Sequence, residues 1–161
     1  MRERTYLDSD LTFWEIKQKV NDNTTIKSRM RAQELNPQIA RDARPFLHAH
    51  YPYPVAALEP TLYNTFQRIT LVSKQSVERL TIDVSLRLLR EDASVSLDGL
   101  VIAEIKQDSF SMDSAFVQEM RALGVRPTGF SKYCIGVSML YPEVKHNRFK
   151  PQLRQIDQLL H

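Results

Sequence analysis

Val77-Glu78-Arg79-Leu80-Thr81-Ile82-Asp83-Val84-Ser85-Leu86-Arg87-Leu88 alternates without interruption. From Arg79 onward its even positions are hydrocarbon (Leu80, Ile82, Val84, Leu86, Leu88), and its odd positions to Arg87 are polar or charged. A β-strand sends successive side chains to opposite faces, so the stretch predicts one strand with a dry face and a charged face. The same period returns in four other places. In Phe13–Val20, Glu15, Lys17 and Lys19 oppose Trp14, Ile16 and Val20. In Ile26–Arg31, Lys27, Arg29 and Arg31 alternate with Ile26, Ser28 and Met30. In Leu100–Gln107, Glu104 and Lys106 oppose Val101, Ala103 and Ile105. In Ser131–Met139, Lys132, Cys134, Gly136 and Ser138 oppose Tyr133, Ile135, Val137 and Met139.

Working outward, Arg2, Arg4 and Tyr6 also alternate like a strand, which leaves little room for a leader. Asp8–Leu11 reads as a turn, and Asn21-Asp22-Asn23 closes a hairpin between Phe13–Val20 and Thr25–Arg31. Ala32–His50 is helical in composition, with Pro37 at an N1-like start and Pro45 as an end or kink. Tyr51-Pro52-Tyr53-Pro54 through Glu59-Pro60 reads as an extended surface connector within one domain. Leu62–Ser73 and Val77–Arg90 form a second hairpin around Lys74-Gln75-Ser76. Glu91–Ser96 is read as a loop and Asp98-Gly99 as a tight turn. Ser111–Leu123 has helical spacing, with Met112, Phe116, Met120 and Leu123 on one stripe and Gly124 as its stop. Pro127–Gly129 is a loop before a strand over Ser131–Leu140. The tail ends with Ile156, Leu159 and Leu160 at the spacing of a short amphipathic helix. Six or seven strands in hairpin succession, without a helical crossover between each pair, exclude a doubly wound parallel sheet. The expected fold is α+β with a largely antiparallel sheet, helices on its apolar outer face, and the charged face lining a groove or tunnel.

The chain has 161 residues, 42% hydrophobic and 25% charged, and a formal net charge of +3. One domain with a real core is expected. Such a mild basic excess does not by itself call for nucleic acid. Four glycines against eight prolines, with no GxxxxGK[ST] or GxGxxG, leave phosphate to be held by side chains rather than by a glycine-rich loop. The lone Cys134 excludes an internal disulfide and is read as a buried strand thiol in a reducing compartment. No apolar run approaches a membrane span and no secretory signal is visible, so the cytoplasm is the expected location. His48, His50, His146 and His161 have no carboxylate or cysteine at metal spacing and are read as surface residues.

Several of these stretches resemble one family, the VTC domain, the polyphosphate-polymerase domain of the vacuolar transporter chaperone complex and its bacterial relatives. Phe13-Trp14-Glu15-Ile16-Lys17-Gln18-Lys19 followed by Lys27-Ser28-Arg29 is similar to that family's "LEIKxK … KxR" hairpin. Arg2-Glu3-Arg4-Thr5-Tyr6 is similar to its "RxRxY" strand, and Glu78 to Asp83 to its "xRxTxD" strand. Ile102-Ala103-Glu104-Ile105-Lys106 is similar to "LExK" and Ser131-Lys132-Tyr133 to "SKY". Tyr63 to Arg68 follows the family's "YxR" strand loosely. Order and spacing agree from residue 1 to about 145.

The resemblance implies a triphosphate-tunnel, CYTH-like fold: an antiparallel β-tunnel with a charged lumen and helices packed outside. It implies a lumen containing Arg2, Arg4, Lys17, Lys19, Lys27, Arg29, Arg68, Arg79, Lys106 and Lys132, with Ser131 hydrogen-bonding near the phosphate chain. It places Glu104 at a divalent metal, Mn²⁺ or Mg²⁺. The implied ligands are ATP and polyphosphate. The family's helix and first strands before "RxRxY", with their ExExK-like element, have no counterpart here. The expectation is therefore a single incomplete domain, residues 1–161, with a separate N-terminal fragment or a membrane partner as possible complement.

Arg suits such a ligand because its planar fork gives two parallel hydrogen bonds to phosphate oxygens. The implied reaction is attack by a polyphosphate chain end on the γ-phosphate of ATP, with Arg79, Glu104 and Lys132 at the transferring group. Two other readings stay open: a triphosphate hydrolase of the same architecture, and a non-catalytic polyanion-binding fragment. A plainer account exists for each charged face, since half-buried antiparallel strands turn their polar side to water. The sign of the charge favours a ligand: a solvated face mixes acids with bases, whereas these faces carry about three bases per acid. Glu15 is read as a salt-bridge partner of Lys17 or Lys27 in preference to a metal ligand, and Asp83 as orienting Arg79 or Arg87.

Overall fold

The computed structural model describes residues 1–21, 24–32, 43–109 and 111–160. Its backbone separates after Pro60 into two compact units, Met1–Pro60 and Thr61–His161.

In the first unit, β1 (Arg2–Tyr6), β2 (Leu11–Lys19) and β3 (Thr25–Ala32) form an antiparallel sheet in that order. Arg2 lies opposite Glu15, and Glu15 opposite Arg29. Directly opposed residues share a face, so the even residues of β1 and the odd residues of β2 and β3 make one surface. The other surface is buried at its centre. Trp14, Ile16 and Ala32 pack there against Ala43 and Leu47 of helix α1 (Ala43–His50) and against Val55. A helix on the apolar face is what the alternation predicts. Pro45 does not end or kink α1; it is its third residue, where a missing N–H breaks no intrahelical bond. The expected start at Pro37 and the residues Asp22 and Asn23 lie outside the described residues. Past α1, the connector holds a short 3₁₀ turn at Val55–Ala57.

In the second unit, β4 (Tyr63–Val72) pairs with the twelve-residue β5 (Glu78–Leu89). On its far side β5 carries two partners end to end: β7 (Ile102–Gln107) along Glu78–Asp83 and β6 (Ser94–Leu97) along Leu86–Leu89. The four strands are antiparallel, so the fold is α+β with antiparallel sheets. β6 replaces the expected loop at Glu91–Ser96. Its Leu97 and Val95 oppose Leu86 and Leu88, an alternation too short to stand out in the sequence.

The unbroken alternation of β5 hides a change of phase. Ser85 takes a left-handed φ of 54°. Across the β4 ladder the partner of Gln67 is Val84 but the partner of Thr65 is Arg87. One extra residue has entered β5, a bulge of the kind a left-handed residue permits. Thr81 and Asp83 therefore share a face with Leu86 and Leu88, and all four are buried. The expectation that the even residues from Leu80 to Leu88 form one dry face fails at this point.

The shift also decides where the helices go. Leu86, Leu88, Leu97 and Leu100 pack with Ile135 and Leu140 of helix α3 (Lys132–Leu140) and Ile156 of helix α4 (Lys150–Leu160). These helices thus cover the side on which Asp83 lies, not the opposite apolar face as expected. On that opposite face Ile69 opposes Ile82, and Leu71 opposes Leu80, which in turn opposes Ile105. Ile69 and Leu71 remain 53% and 51% exposed.

Residues Ser131–Leu140 do not continue as a strand. Ser131 is an N-cap, its Oγ accepting the Cys134 N–H at 3.3 Å, and Lys132 begins α3. Tyr133, Ile135, Val137 and Met139 alternate, but Ile135–Met139 and Gly136–Leu140 are also one helical turn apart, and burial follows the helix. Gly136 admits this packing, since a Cβ there would come within 2.5 Å of Leu62 Cδ2. Cys134 consequently lies on a helix and is half-buried, not in a strand core. In helix α2 (Ala115–Ala122), capped by Ser114 and closed at Gly124 with φ 71°, Val117 is the buried residue. Met112 precedes the helix and Leu123 is 70% exposed, so the expected stripe is displaced. In α4, Ile156 is buried as expected, while Leu159 is exposed.

Candidate functional site

Each unit carries a sheet face rich in bases with one buried carboxylate at its centre. In the first unit that carboxylate is Glu15, on the middle strand, its side chain 1% exposed. From β1, Arg2 donates to Glu15 Oε2 through Nε at 2.5 Å, with Nη2 equally close. From β3, Lys27 Nζ lies 3.1 Å and Arg29 Nε 3.6 Å from Oε1. Burial pushes the Glu15 carboxyl up, but the hydrogen bonds and charges of Arg2 and Lys27 outweigh it and hold it at about 2. Arg4, Lys17, Lys19 and Arg31 share this surface by register. Tyr6 and Phe13 give it an aromatic floor. The Arg29 guanidinium stands 3.5 Å from the Phe13 ring centroid, and Arg4 reaches the Tyr6 hydroxyl at 3.3 Å. That hydrogen bond lowers the Tyr6 hydroxyl below its ordinary range.

In the second unit the buried carboxylate is Asp83. Arg68 grips it with both prongs, Nε to Oδ1 at 2.6 Å and Nη2 to Oδ2 at 2.7 Å. Lys132, at the start of α3, bonds the same Oδ2. Burial pushes Asp83 up, yet the hydrogen bonds from Arg68 and Lys132 overcome it and the net shift is down. Phe66 lies beside both cations, 4.4 Å from Lys132 Nζ and 5.2 Å from the Arg68 guanidinium carbon. Register puts Arg79, Glu104 and Lys106 on this same face: Arg79 opposes Lys106, and Glu104 opposes Thr81.

Five residues expected to act together, Arg68, Arg79, Glu104, Lys106 and Lys132, thus belong to one surface of one unit. Arg2, Arg4, Lys17, Lys19, Lys27 and Arg29 belong to one surface of the other. Asp83 orients Arg68 and Lys132 in place of Arg79 or Arg87, because the bulge sends Arg87 to the opposite face. Ser131 caps α3 with the oxygen that was expected to serve phosphate. Arg31, Tyr6 and Phe13 were read as strand residues but not assigned to the phosphate site, although β2–β3 register brings Arg31 opposite Phe13.

Glu104 is half exposed and 3.1 Å from Lys106 Nζ. Among the described residues, no group of three or more His, Cys, Asp or Glu is placed to hold a metal ion. A single exposed carboxylate fits the habit of Mg²⁺ and similar ions, which take one or two carboxylates and complete their shell with phosphate oxygens and water. Glu104 therefore suits an ion that arrives with phosphate. Among the described residues, no helix is long and apolar enough to cross a membrane.

Neither the curated proteins nor the solved structures include a match to this chain. The family model of the VTC domain matches residues 1–141, a span that takes in both basic faces and the α3 lysine. The chain belongs to the VTC domain family.

Proposed function

We propose that this chain is a polyphosphate polymerase-type domain that transfers the γ-phosphate of ATP to the end of a polyphosphate chain, in a tunnel-like enclosure of the kind the family resemblance implies. The observation that carries the reading is the gathering of Arg68, Arg79, Glu104, Lys106 and Lys132 on one sheet face in a chain of the VTC family. In the proposed reaction a terminal polyphosphate oxygen attacks the γ-phosphorus. The bond from that phosphorus to the bridging oxygen of ADP breaks, and ADP leaves. Phosphoryl transfer asks little covalent chemistry of the protein; positioning and charge neutralisation do the work. Arg79 and Lys132 neutralise charge at the transferring group, and Arg68 and Lys106 of the same face hold phosphate oxygens. Glu104 would hold a divalent ion, whose part is to draw negative charge off the phosphate oxygens.

The test is incubation of the purified chain with ATP and Mn²⁺, followed by assays for long-chain polyphosphate and for free phosphate. ATP-dependent chain growth supports the reading. Free phosphate without chains identifies a hydrolase. Polyphosphate binding with neither product leaves a polyanion-binding module.

A further inference from the structure

The two basic faces are built by one device used twice. In each, an acid that is almost fully buried sits on a central strand and takes bases from two neighbouring elements. Glu15 of β2 ties Arg2 of β1 to Lys27 and Arg29 of β3. Asp83 of β5 ties Arg68 of β4 to Lys132 of α3. The acids are 1% and 3% exposed, whereas Arg2, Lys27 and Arg29 keep 43%, 46% and 38% of their side chains in solvent, and Arg68 and Lys132 keep 27% and 19%. The carboxylates are thus out of reach of a ligand while the cations above them are not.

We propose that Glu15 and Asp83 are positioning residues, internal anchors that hold the phosphate-binding cations in their working geometry before ligand arrives, and that neither touches phosphate or metal. This inference rests on the proposed function and names how that site is regulated by its own structure.

The chemistry is a trade between charge and order. An acid beneath three bases lowers the net attraction for a polyanion. Long Lys and Arg side chains also lose rotamer freedom when they close on a ligand, and a site that holds them beforehand is spared that loss. A guanidinium carries five N–H donors, and a fork to one carboxylate occupies two of them. Arg2, which meets Glu15 through Nε and Nη2, therefore keeps donors with which to meet phosphate. Glu15 is held at about 2 and stays charged at any ordinary working pH, so its anchor is permanent.

Charge counting and positioning predict opposite signs for one substitution. Glu15→Gln makes the protein more basic by one unit, so charge alone predicts tighter polyphosphate binding. Loss of the anchor predicts weaker binding, by about tenfold when two or three long side chains must be ordered on contact. Inorganic polyphosphate of defined length is titrated calorimetrically into the full chain across a salt series, with folding verified by circular dichroism. The slope of log affinity against log salt reports how many cations engage phosphate together. The expected result is weaker binding and a shallower slope in Glu15→Gln, with both restored toward wild type in Glu15→Asp. The exposed Glu143→Gln should leave both unchanged. A merely structural role would not move the slope or be relieved by aspartate. Should Glu15→Gln fail to fold, Asp83→Asn makes the same measurement in the other unit. Equal or tighter binding in these variants overturns the inference while leaving the proposed function intact. A wild-type chain that does not bind polyphosphate overturns both.

Discussion

Asp83 and Arg68 are opposed across the β4–β5 ladder and share two hydrogen bonds, at 2.6 and 2.7 Å, with the aspartate side chain only 3% exposed. Removing one partner of a buried pair leaves the other charge uncompensated, at a typical cost of about 3–5 kcal/mol. Asp83→Ala should lose stability on that scale, because Lys132 is stranded together with Arg68. Asp83→Asn should lose less, since its amide oxygen still accepts. Urea unfolding of the three proteins side by side checks the order.

Acid should loosen the first unit through Glu15. Its carboxyl is depressed from 4.5 to about 2, so its ionised form is favoured by folding. The stabilisation is fully present above the unfolded value and is lost as pH falls through the folded one. Thermal midpoints measured from pH 5 to pH 2 should fall steeply for the wild type and less steeply for Glu15→Gln.

Glu3 should act with the opposite sign. Burial raises its carboxyl, and its Oε1 and the indole Nε1 of Trp14, its cross-strand neighbour, are both buried without a hydrogen-bond partner. A raised group contributes stability below its unfolded value and loses it as pH climbs through the folded one. Glu3→Gln should therefore raise the melting temperature at neutral pH by a few degrees and flatten its dependence between pH 4 and 7. A Glu3→Gln protein that melts below wild type at pH 7 would contradict this.

Ser85 should be better as glycine. Its φ of 54° is costly for a side chain, by about 1–2 kcal/mol, and free for glycine. Ser85→Gly should gain a fraction of that, while deletion of Ser85 should abolish folding of the second unit, because it would turn Leu86 and Leu88 out of the core. Calorimetry of the point variant and expression of the deletion test the pair.

Glu104→Ala should remove most turnover if the proposed chemistry holds. Loss of one charge-stabilising contact typically raises a barrier by ~2.7–4 kcal/mol. The half-exposed side chain meets Lys106 only at the surface, so stability should stay within about 0.5 kcal/mol of wild type. Unchanged ATP-dependent chain growth in this variant would remove Glu104 from the assignment.

The first hairpin was legible because alternation over Phe13–Val20 and Ile26–Arg31 has one meaning when Trp14 and Ile16 are buried on one face, whereas Val101 and Ala103 in Leu100–Gln107 alternate with charge yet stay exposed. The bases of the site were legible for the same reason. What escaped was set by contacts far along the chain. Ser85 gives no local sign that it enters the left-handed region; only the ladder with β4 shows it. Lys132 to Leu140 satisfies two periods at once, and the serine cap that decides between them is a single residue. The anchoring acids were in view as Glu15 and Asp83, but which bases they hold depends on register, and register brought Arg68 to Asp83 where Arg79 or Arg87 was expected.

The uncovered hydrocarbon of Ile69 and Leu71 on the outer strand β4 governs how this protein behaves in a tube. Such a strip favours adsorption to plastic and self-association. Dilute samples will lose material to the walls and concentrated ones will scatter light, so an apparent affinity drawn from nominal concentration understates the molecule. Carrier protein or a mild non-ionic detergent restores the true count.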